Sequence, residues 1–243
     1  MCAWLSIVLL GLSACDAPAE DVREPPPEGS AVLEGVVLLA DRATVPAYEA
    51  DDLGWDRLFE GDVGDTGCRP RKRQEVLKLG QGRTLGGVVV AASGFRGRSL
   101  YARETHTVSF ERCELSPNMV SATHGDRLKV VNRGQGAAPF TFGAVASPRS
   151  LPEGGEAVLH LAPGIESLMC PREVGCGRTD VVVFHHSLHD VSDIAGRFRI
   201  EGFPVRQAVG LHAWHPLLPE SFIQVWLEPG ERKEVQIVIT PPP

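Results

Sequence analysis

What this chain lacks excludes several classes of protein at the outset. Beyond Cys15 no apolar run approaches the ~18 residues that a membrane-spanning helix needs, so a helical membrane-embedded body is excluded. Helical periodicity is poor throughout. Its best stretch, Asp52 to Phe59, is short and flanked by acid, and little helix is expected. An excess of positive charge is missing as well: the formal net charge is −7, and Lys and Arg are scattered apart from Arg69-Pro70-Arg71-Lys72-Arg73. Nucleic acid is therefore not an expected partner. That basic cluster follows the acidic, glycine-rich Glu60-Gly61-Asp62-Val63-Gly64-Asp65 and is read as a solvated loop without a function. Catalytic signatures are missing too. There is no Gly-x-Ser-x-Gly elbow, no His-Glu-x-x-His, no phosphate-binding glycine loop and no carboxylate pair spaced for acid–base work. Ser187 beside His186 and Asp190 supplies the letters of a hydrolase triad. Such residues are normally brought together from distant segments, and adjacency in one loop gives poor geometry. The chain is not read as an enzyme.

What is present begins with an address. The short apolar run Ile7-Val8-Leu9-Leu10 leads into Leu12-Ser13-Ala14-Cys15, the pattern of a bacterial lipoprotein signal and its lipidation cysteine. The run is too brief to span a bilayer, and small residues precede the cysteine as a signal peptidase requires. One departure from the pattern is that Met1-Cys2-Ala3-Trp4 carries no Lys or Arg. The signal is expected to be removed and Cys15 to take lipid, which places the protein in the bacterial envelope, facing the periplasm or exterior. The membrane is then its first partner, through the lipid alone. From Asp16 to Ser30 the chain is acidic and carries Pro25-Pro26-Pro27. It cannot bury a core and is expected to be a flexible tether.

With Cys2 removed and Cys15 lipidated, Cys68, Cys113, Cys170 and Cys176 remain in an oxidising compartment, where even numbers of cysteines usually form disulfides. Three pairings are open. In one, Cys170 and Cys176 close a small loop and leave Cys68 to reach Cys113. By the loop-entropy relation that longer bridge would stabilise by ~4 kcal/mol.

The body of the chain consists of short apolar runs punctuated by glycine and proline: Val32 to Leu39, Gly87 to Ala92, Thr107 to Phe110, Arg127 to Val131, Ala157 to Leu161, Asp180 to Phe184, Gly196 to Ile200 and Glu234 to Ile239. These read as strands. In Arg197-Phe198-Arg199-Ile200 and Leu128-Lys129-Val130 the apolar residues alternate with charge, so each strand has a buried and a wet face. An all-β, two-sheet sandwich architecture follows. The length allows one large all-β domain or two small ones.

Read in order, the strands resemble a family of bacterial secreted proteins that combine a cupredoxin-like domain with a transthyretin-like, carboxypeptidase-regulatory-like β-sandwich. Leu85-Gly86-Gly87-Val88-Val89-Val90 is similar to the strand preceding the cupredoxin part. Cys113 to Val120 followed by Gly125 to Asn132 is similar to its first two strands. Ser192 to Pro204 resembles the family's tight turn and strand, with Asp193 and Gly196 shaping the turn before Phe198. Leu211-His212-Ala213-Trp214-His215 resembles the strand ending in a Trp-His pair. The indole is expected to pack inward, leaving His212 and His215 at an edge or surface.

The resemblance implies one copper ion, held by a His after the Asn that ends the second strand, then a Cys, a second His and a Met in a late loop. Aligned on Asn132, the first His falls near Ala138, within Gly134-Gln135-Gly136-Ala137-Ala138-Pro139. Cys170 stands at the thiolate position, the second His position falls on Glu173 and the Met on Cys176. With one ligand of four retained, Cys170 and Cys176 are expected to form a disulfide, and no metal cofactor is expected. The alternative is a nonstandard copper site drawing on Cys170, Cys176, His185, His186 and His189. His185-His186-Ser187-Leu188-His189-Asp190 concentrates three imidazoles and a carboxylate. On an extended strand His185 and His189 share a face, whereas a turn at Ser187 brings His186 and His189 together. A three-nitrogen zinc or copper site competes here with a polar loop bridging two strands, and the loop reading is favoured because the family carries a His near position 186 as part of this junction. His106, His124 and His160 read as isolated.

The expected organisation is a signal over 1–14, a tether over 15–30, N-terminal strands of the transthyretin-like part over 31–105, a cupredoxin-like domain over 106–184 and the carboxypeptidase-regulatory-like remainder over 185–243. The function expected is a lipid-anchored, non-catalytic binding or structural module whose further partner is an envelope protein or glycan.

Overall fold

The computed structural model describes residues 29–55, 68–69, 71–96, 102–143 and 148–241. The signal, Cys15 and nearly all of the tether lie outside these. Among the described residues no helix is long and apolar enough to cross a membrane.

The chain is all-β. Its first stretch carries β1 (Ala31–Leu39), β2 (Tyr48–Glu49), β3 (Gly54–Trp55), β4 (Arg73–Gln74), β5 (Lys78–Leu79), β6 (Leu85–Gly86) and β7 (Val89–Ser93). The middle carries β8 (Thr105–Glu111), β9 (Glu114–Ser116), β10 (Met119–Thr123), β11 (Arg127–Asn132), β12 (Ala138–Phe142), β13 (Arg149–Leu151), β14 (Glu156–His160), β15 (Gly164–Pro171) and β16 (Arg178–Phe184). The last stretch carries β17 (His189–Val191), β18 (Arg197–Phe203), β19 (Val209–His215), β20 (Leu218–Val225) and β21 (Arg232–Ile239). Where the sequence suggests a short helix at Asp52, a single 3-10 turn over Ala50–Asp52 leads straight into β3. The rest of that stretch, to Phe59, lies outside the described residues.

Two sandwiches result. In the first, the sheet β18-β1-β21 faces the sheet β17-β7-β19-β20. Leu33, Val37, Phe198, Ile200, Ile237 and Ile239 of one sheet pack on Val90, Ala92, Leu211 and Ala213 of the other. β1 is the central strand of its sheet, and one face of it is packed throughout, every second residue from Ala31 to Leu39 being buried. It pairs antiparallel with β18 (Gly35 opposite Phe198) and parallel with β21 (Val37 opposite Ile237). Gly35 is required there, since a Cβ would lie 2.6 Å from the Phe198 ring. In the second sandwich the sheet β14-β11-β8-β9 faces β10-β16-β15-β12-β13. Between them lie Val108, Phe110, Leu128 and Val130 on one side and Val120, Phe140, Leu168, Val181 and Val183 on the other. In sequence the second core interrupts the first, whose residues come from 31–92 and 188–239.

A small apolar seam joins the two. Val89, Met119 and Val182 form it, with Phe184, Val191 and Trp214 packed around them. The segment after β1 also crosses to the second sandwich: β3 adds a parallel strand to β15, Gly54 standing opposite Cys170.

Candidate functional site

β16 connects the two places where the chemistry-bearing residues collect. Its Arg178 end adjoins the cysteine loop and its Phe184 end adjoins the histidines.

At the first end, β15 delivers Cys170 and a tight turn returns the chain to β16, the N–H of Val174 donating to the carbonyl of Pro171 at 3.0 Å. Cys170 and Cys176 are joined in a disulfide with Cα atoms 5.8 Å apart. Both are buried, at 1% and 0% exposure, inside the second core. A second disulfide joins Cys68 to Cys113. The segment that crosses from the first sandwich then covers the loop. Arg71 donates from Nε to the Gly175 carbonyl and from Nη2 to the Cys113 carbonyl, each at 2.9 Å. The buried Gln74 accepts the Arg178 N–H at 2.8 Å and donates to the Arg178 carbonyl and to Asn118. The basic cluster is thus only partly a solvated loop. Lys72 and Arg73 are exposed, but Arg71 is a clamp, because two carbonyls at the end of the second sandwich require a donor.

The other positions at which the resemblance implies copper ligands do not fit a metal. Ala138 is a buried methyl in the core, and Glu173 is exposed. Asn132, fully buried, donates to the carbonyls of Gly136, Leu151 and Pro152 and accepts the Gly134 N–H, which ties down the turn that leads to Ala138. A disulfide offers no thiolate. The residues present do not match a copper centre of that kind.

Beside this end lies a buried polar constellation. Asp180, 1% exposed, accepts from Tyr48 Oη at 2.5 Å, Ser167 Oγ at 2.7 Å and Arg178 Nε at 2.7 Å. The Arg178 guanidinium also sits 4.7 Å over the Tyr48 ring. Burial first, and then the Asp180 charge, hold the Tyr48 hydroxyl above its ordinary range. Tyr48 comes from the first sandwich and Asp180 from the second, so the charge clasps the two together. His215 lies against Tyr48 with ring centroids 6.3 Å apart. It is fully buried, and its Nε2 has no hydrogen-bond partner among the described residues. Burial pushes its pKa down to about 4. The expectation of surface histidines around an inward Trp214 is corrected for His215. Strand β19 turns Leu211, Ala213 and His215 inward, and Trp214 faces the seam half-buried. His212 is half-exposed, bonded to Ser93 and Glu220.

At the Phe184 end the chain bends at Ser187, and of the two arrangements open from sequence the turn is adopted. His186 and His189 both stack on Phe184, with centroids 5.6 and 4.8 Å from it. His189 reaches across the seam, its two ring nitrogens each 3.0 Å from a hydroxyl, Ser121 and Thr123. Burial, and then the nearby His186, push its pKa down to about 4. His186 accepts the Leu188 N–H through Nδ1. Two histidines that read as isolated have partners. His106 bonds the buried Asp126 at 3.0 Å, and His124 lies beside His185 with ring centroids 6.0 Å apart. Burial raises the Asp126 pKa, but hydrogen bonds from His106 and the N–H groups of Glu104 and Thr123 outweigh it and leave the carboxyl below its usual range. Parallel pairing creates both contacts, and it leaves no periodic signal in sequence.

The residues of the alternative Cys/His site are not brought together. Cys170 and Cys176 sit at one end of β16, and His185, His186 and His189 at the other. The intervening strand, at ~3.3 Å per residue, holds them about 20 Å or more apart. Among the described residues no group of three or more His, Cys, Asp or Glu is arranged to hold a metal ion. Asp190 turns one carboxylate oxygen to the Val191 N–H at 2.8 Å. It accepts the Arg199 N–H at 2.8 Å and lines an open cleft of about 630 Å³ with Glu34, Arg197, Arg199 and Glu234.

No protein-family model and no curated protein matches the chain. Among solved structures, the reduced state of a proline-to-phenylalanine mutant of amicyanin aligns at 15% identity, covering 32% of this chain and 81% of its own, with a TM-score of 0.29. A purple cupredoxin from Nitrosopumilus maritimus aligns at 13% identity over 32% of this chain and 98% of its own, with a TM-score of 0.28. Amicyanin from Paracoccus versutus gives 13% identity, 39% and 96% coverage and a TM-score of 0.28. At such scores the likeness carries no argument about chemistry.

Proposed function

We propose that the protein is a lipid-anchored, non-catalytic binding or structural module of the bacterial envelope, in which a cupredoxin-like unit without its copper ligands interrupts a transthyretin-like sandwich. The observation that carries this reading is the buried Cys170–Cys176 disulfide, covered by β3, Arg71 and Gln74. A loop of that kind is a folding hub: its sulfurs are spent on each other and its backbone on a neighbouring segment. The clasp at Asp180 supports the same reading, because it holds the two sandwiches in one orientation and so presents their surfaces as a fixed pair. The charged cleft beside Glu34 and Asp190 is the surface on which an envelope protein or glycan would be received. Two disulfides agree with an oxidising compartment, and the Cys15 pattern supplies the anchor.

The test is thiol titration of the mature protein, unfolded without reductant after purification in mild detergent. No free sulfhydryl is expected among Cys68, Cys113, Cys170 and Cys176. Two free thiols, with copper retained through chelator dialysis and an intense thiolate absorption band, would overturn the reading. Cys15→Ser is expected to release the protein from membranes into the soluble fraction, and a protein that stays membrane-bound would refute the anchor.

A further inference from the structure

Strands β10 and β16 run parallel with Thr123 opposite Phe184. The ladder continues one step further, where the His124 N–H donates to the Phe184 carbonyl at 2.7 Å. His124 and His185, the next residue on each strand, therefore leave the sheet side by side. Their ring centroids are 6.0 Å apart and their planes inclined at 74°. Both side chains are exposed. Among the described residues neither ring nitrogen of either has a hydrogen-bond partner, whereas His106, His186, His189 and His212 each commit a nitrogen to one.

We propose that His124 and His185 form a surface site for one divalent late-transition-metal ion, Cu(II), Zn(II) or Ni(II), each giving one imidazole nitrogen, with water completing the shell. Imidazole is the side-chain donor that suits these ions. Two rings on one ion, at ~2.1 Å per bond, bring their centroids to about 5–6 Å, so the observed pair needs only small side-chain rotations. The strand ladder already fixes both backbones, which lowers the ordering cost. Once the first imidazole binds, the second meets the ion at an effective concentration of about millimolar or more, which separates a chelating pair from a lone surface histidine. His186 and His189 are not ligands in this assignment, since both lie flat against Phe184 and His189 is held by two hydroxyls. The site is independent of the cysteine loop, at the far end of β16.

The experiment is calorimetric titration of the full mature chain, without a histidine tag and stripped with EDTA, against Cu(II) and then Zn(II). One ion per chain is expected, with Cu(II) the tighter and held in the micromolar range. His124→Ala and His185→Ala should each weaken it by about tenfold or more, while the exposed His160→Ala leaves it unchanged. Nitrogen hyperfine structure in the Cu(II) electron paramagnetic resonance spectrum should simplify in either variant. Undiminished affinity in both variants, or no binding up to millimolar metal, overturns the site. A thiolate band that survives both substitutions would instead refute the proposed function, so the two failures read differently.

Discussion

At the Arg178 end of β16 the cysteines are joined, Gln74 is bonded on both sides of its amide and Asp180 accepts three hydrogen bonds. At the Phe184 end two imidazoles stand side by side with their nitrogens uncommitted among the described residues. The same strand thus has one end whose chemistry is consumed by folding and one end whose chemistry is available. The consumed end is where the resemblance implies a metal, and the available end is where it implies none. Burial decides between them, because a buried polar group must be satisfied by the protein itself while an exposed one can wait for a ligand.

The comparison breaks most sharply at Asp180. Asp180→Ala leaves Arg178 and Tyr48 without their shared acceptor in a dry site, and a loss of about 3–5 kcal/mol is expected. Urea unfolding measures it, and a loss under about 1 kcal/mol would show that Asp180 is not a clasp. The second break is covalent. Cys68 and Cys113 are half-buried, whereas Cys170 and Cys176 are enclosed. Mild reductant should therefore open Cys68–Cys113 first, at a cost of ~4 kcal/mol by loop entropy, with the order of opening read by alkylation and mass spectrometry. Opening of Cys170–Cys176 first would mean that the covering segment does not shield it.

Acid probes the seam from both sides. His189 and His215 each have a pKa of about 4 in the folded protein, burial being the main cause, against ~6.5 in an unfolded chain. Their pKa falls on folding, so the stability tied to their neutral forms is whole above pH ~6.5 and is lost as pH falls towards and through 4, by up to ~3 kcal/mol for each. Asp190 acts with the opposite sign, since burial raises its pKa and favours the folded state in acid. Unfolding midpoints at pH 7, 5.5 and 4 should decline, and His215→Leu should flatten the decline. An unchanged slope in that variant would exclude His215 as a source.

How much of this was legible in sequence depended on the kind of contact. β18 announces itself by the alternation over Arg197 to Ile200 and β1 by its apolar run over Val32 to Leu39, both local properties of the chain. The phase of β19 does not: Leu211-His212-Ala213-Trp214-His215 alternates whichever face is buried, and the larger indole suggested the wrong one. Asp180 opens an apolar run, and a single carboxylate in a strand that otherwise reads as buried was the available signal for the clasp. Its partner Tyr48 comes from a two-residue strand, too short for any pattern to mark. Arg71 and Gln74 were hidden for the same reason, as their roles are set by backbone groups of Gly175 and Arg178, more than a hundred residues distant. The pairing of His124 with His185 follows from a parallel register that no spacing reveals.

The smallest expected effect tests the available end. His124→Ala and His185→Ala remove exposed rings without hydrogen bonds, so without metal each should change stability by less than about 0.5 kcal/mol. His189→Ala, a few residues away, strips Ser121 and Thr123 of their shared partner and should cost about 1–3 kcal/mol. The response to Cu(II) ranks the variants the other way. At a hundred times the dissociation constant a ligand that binds only the folded state adds about 2.7 kcal/mol, so the parent and His189→Ala should rise fully in melting temperature, while His124→Ala and His185→Ala, at least about tenfold weaker, gain about 1.4 kcal/mol or less and rise by about half as much at most. An equal rise in all four would assign the ion elsewhere on the surface. A full rise confined to the chains that keep both His124 and His185 would mark this end of β16 as the one where the fold leaves chemistry unspent.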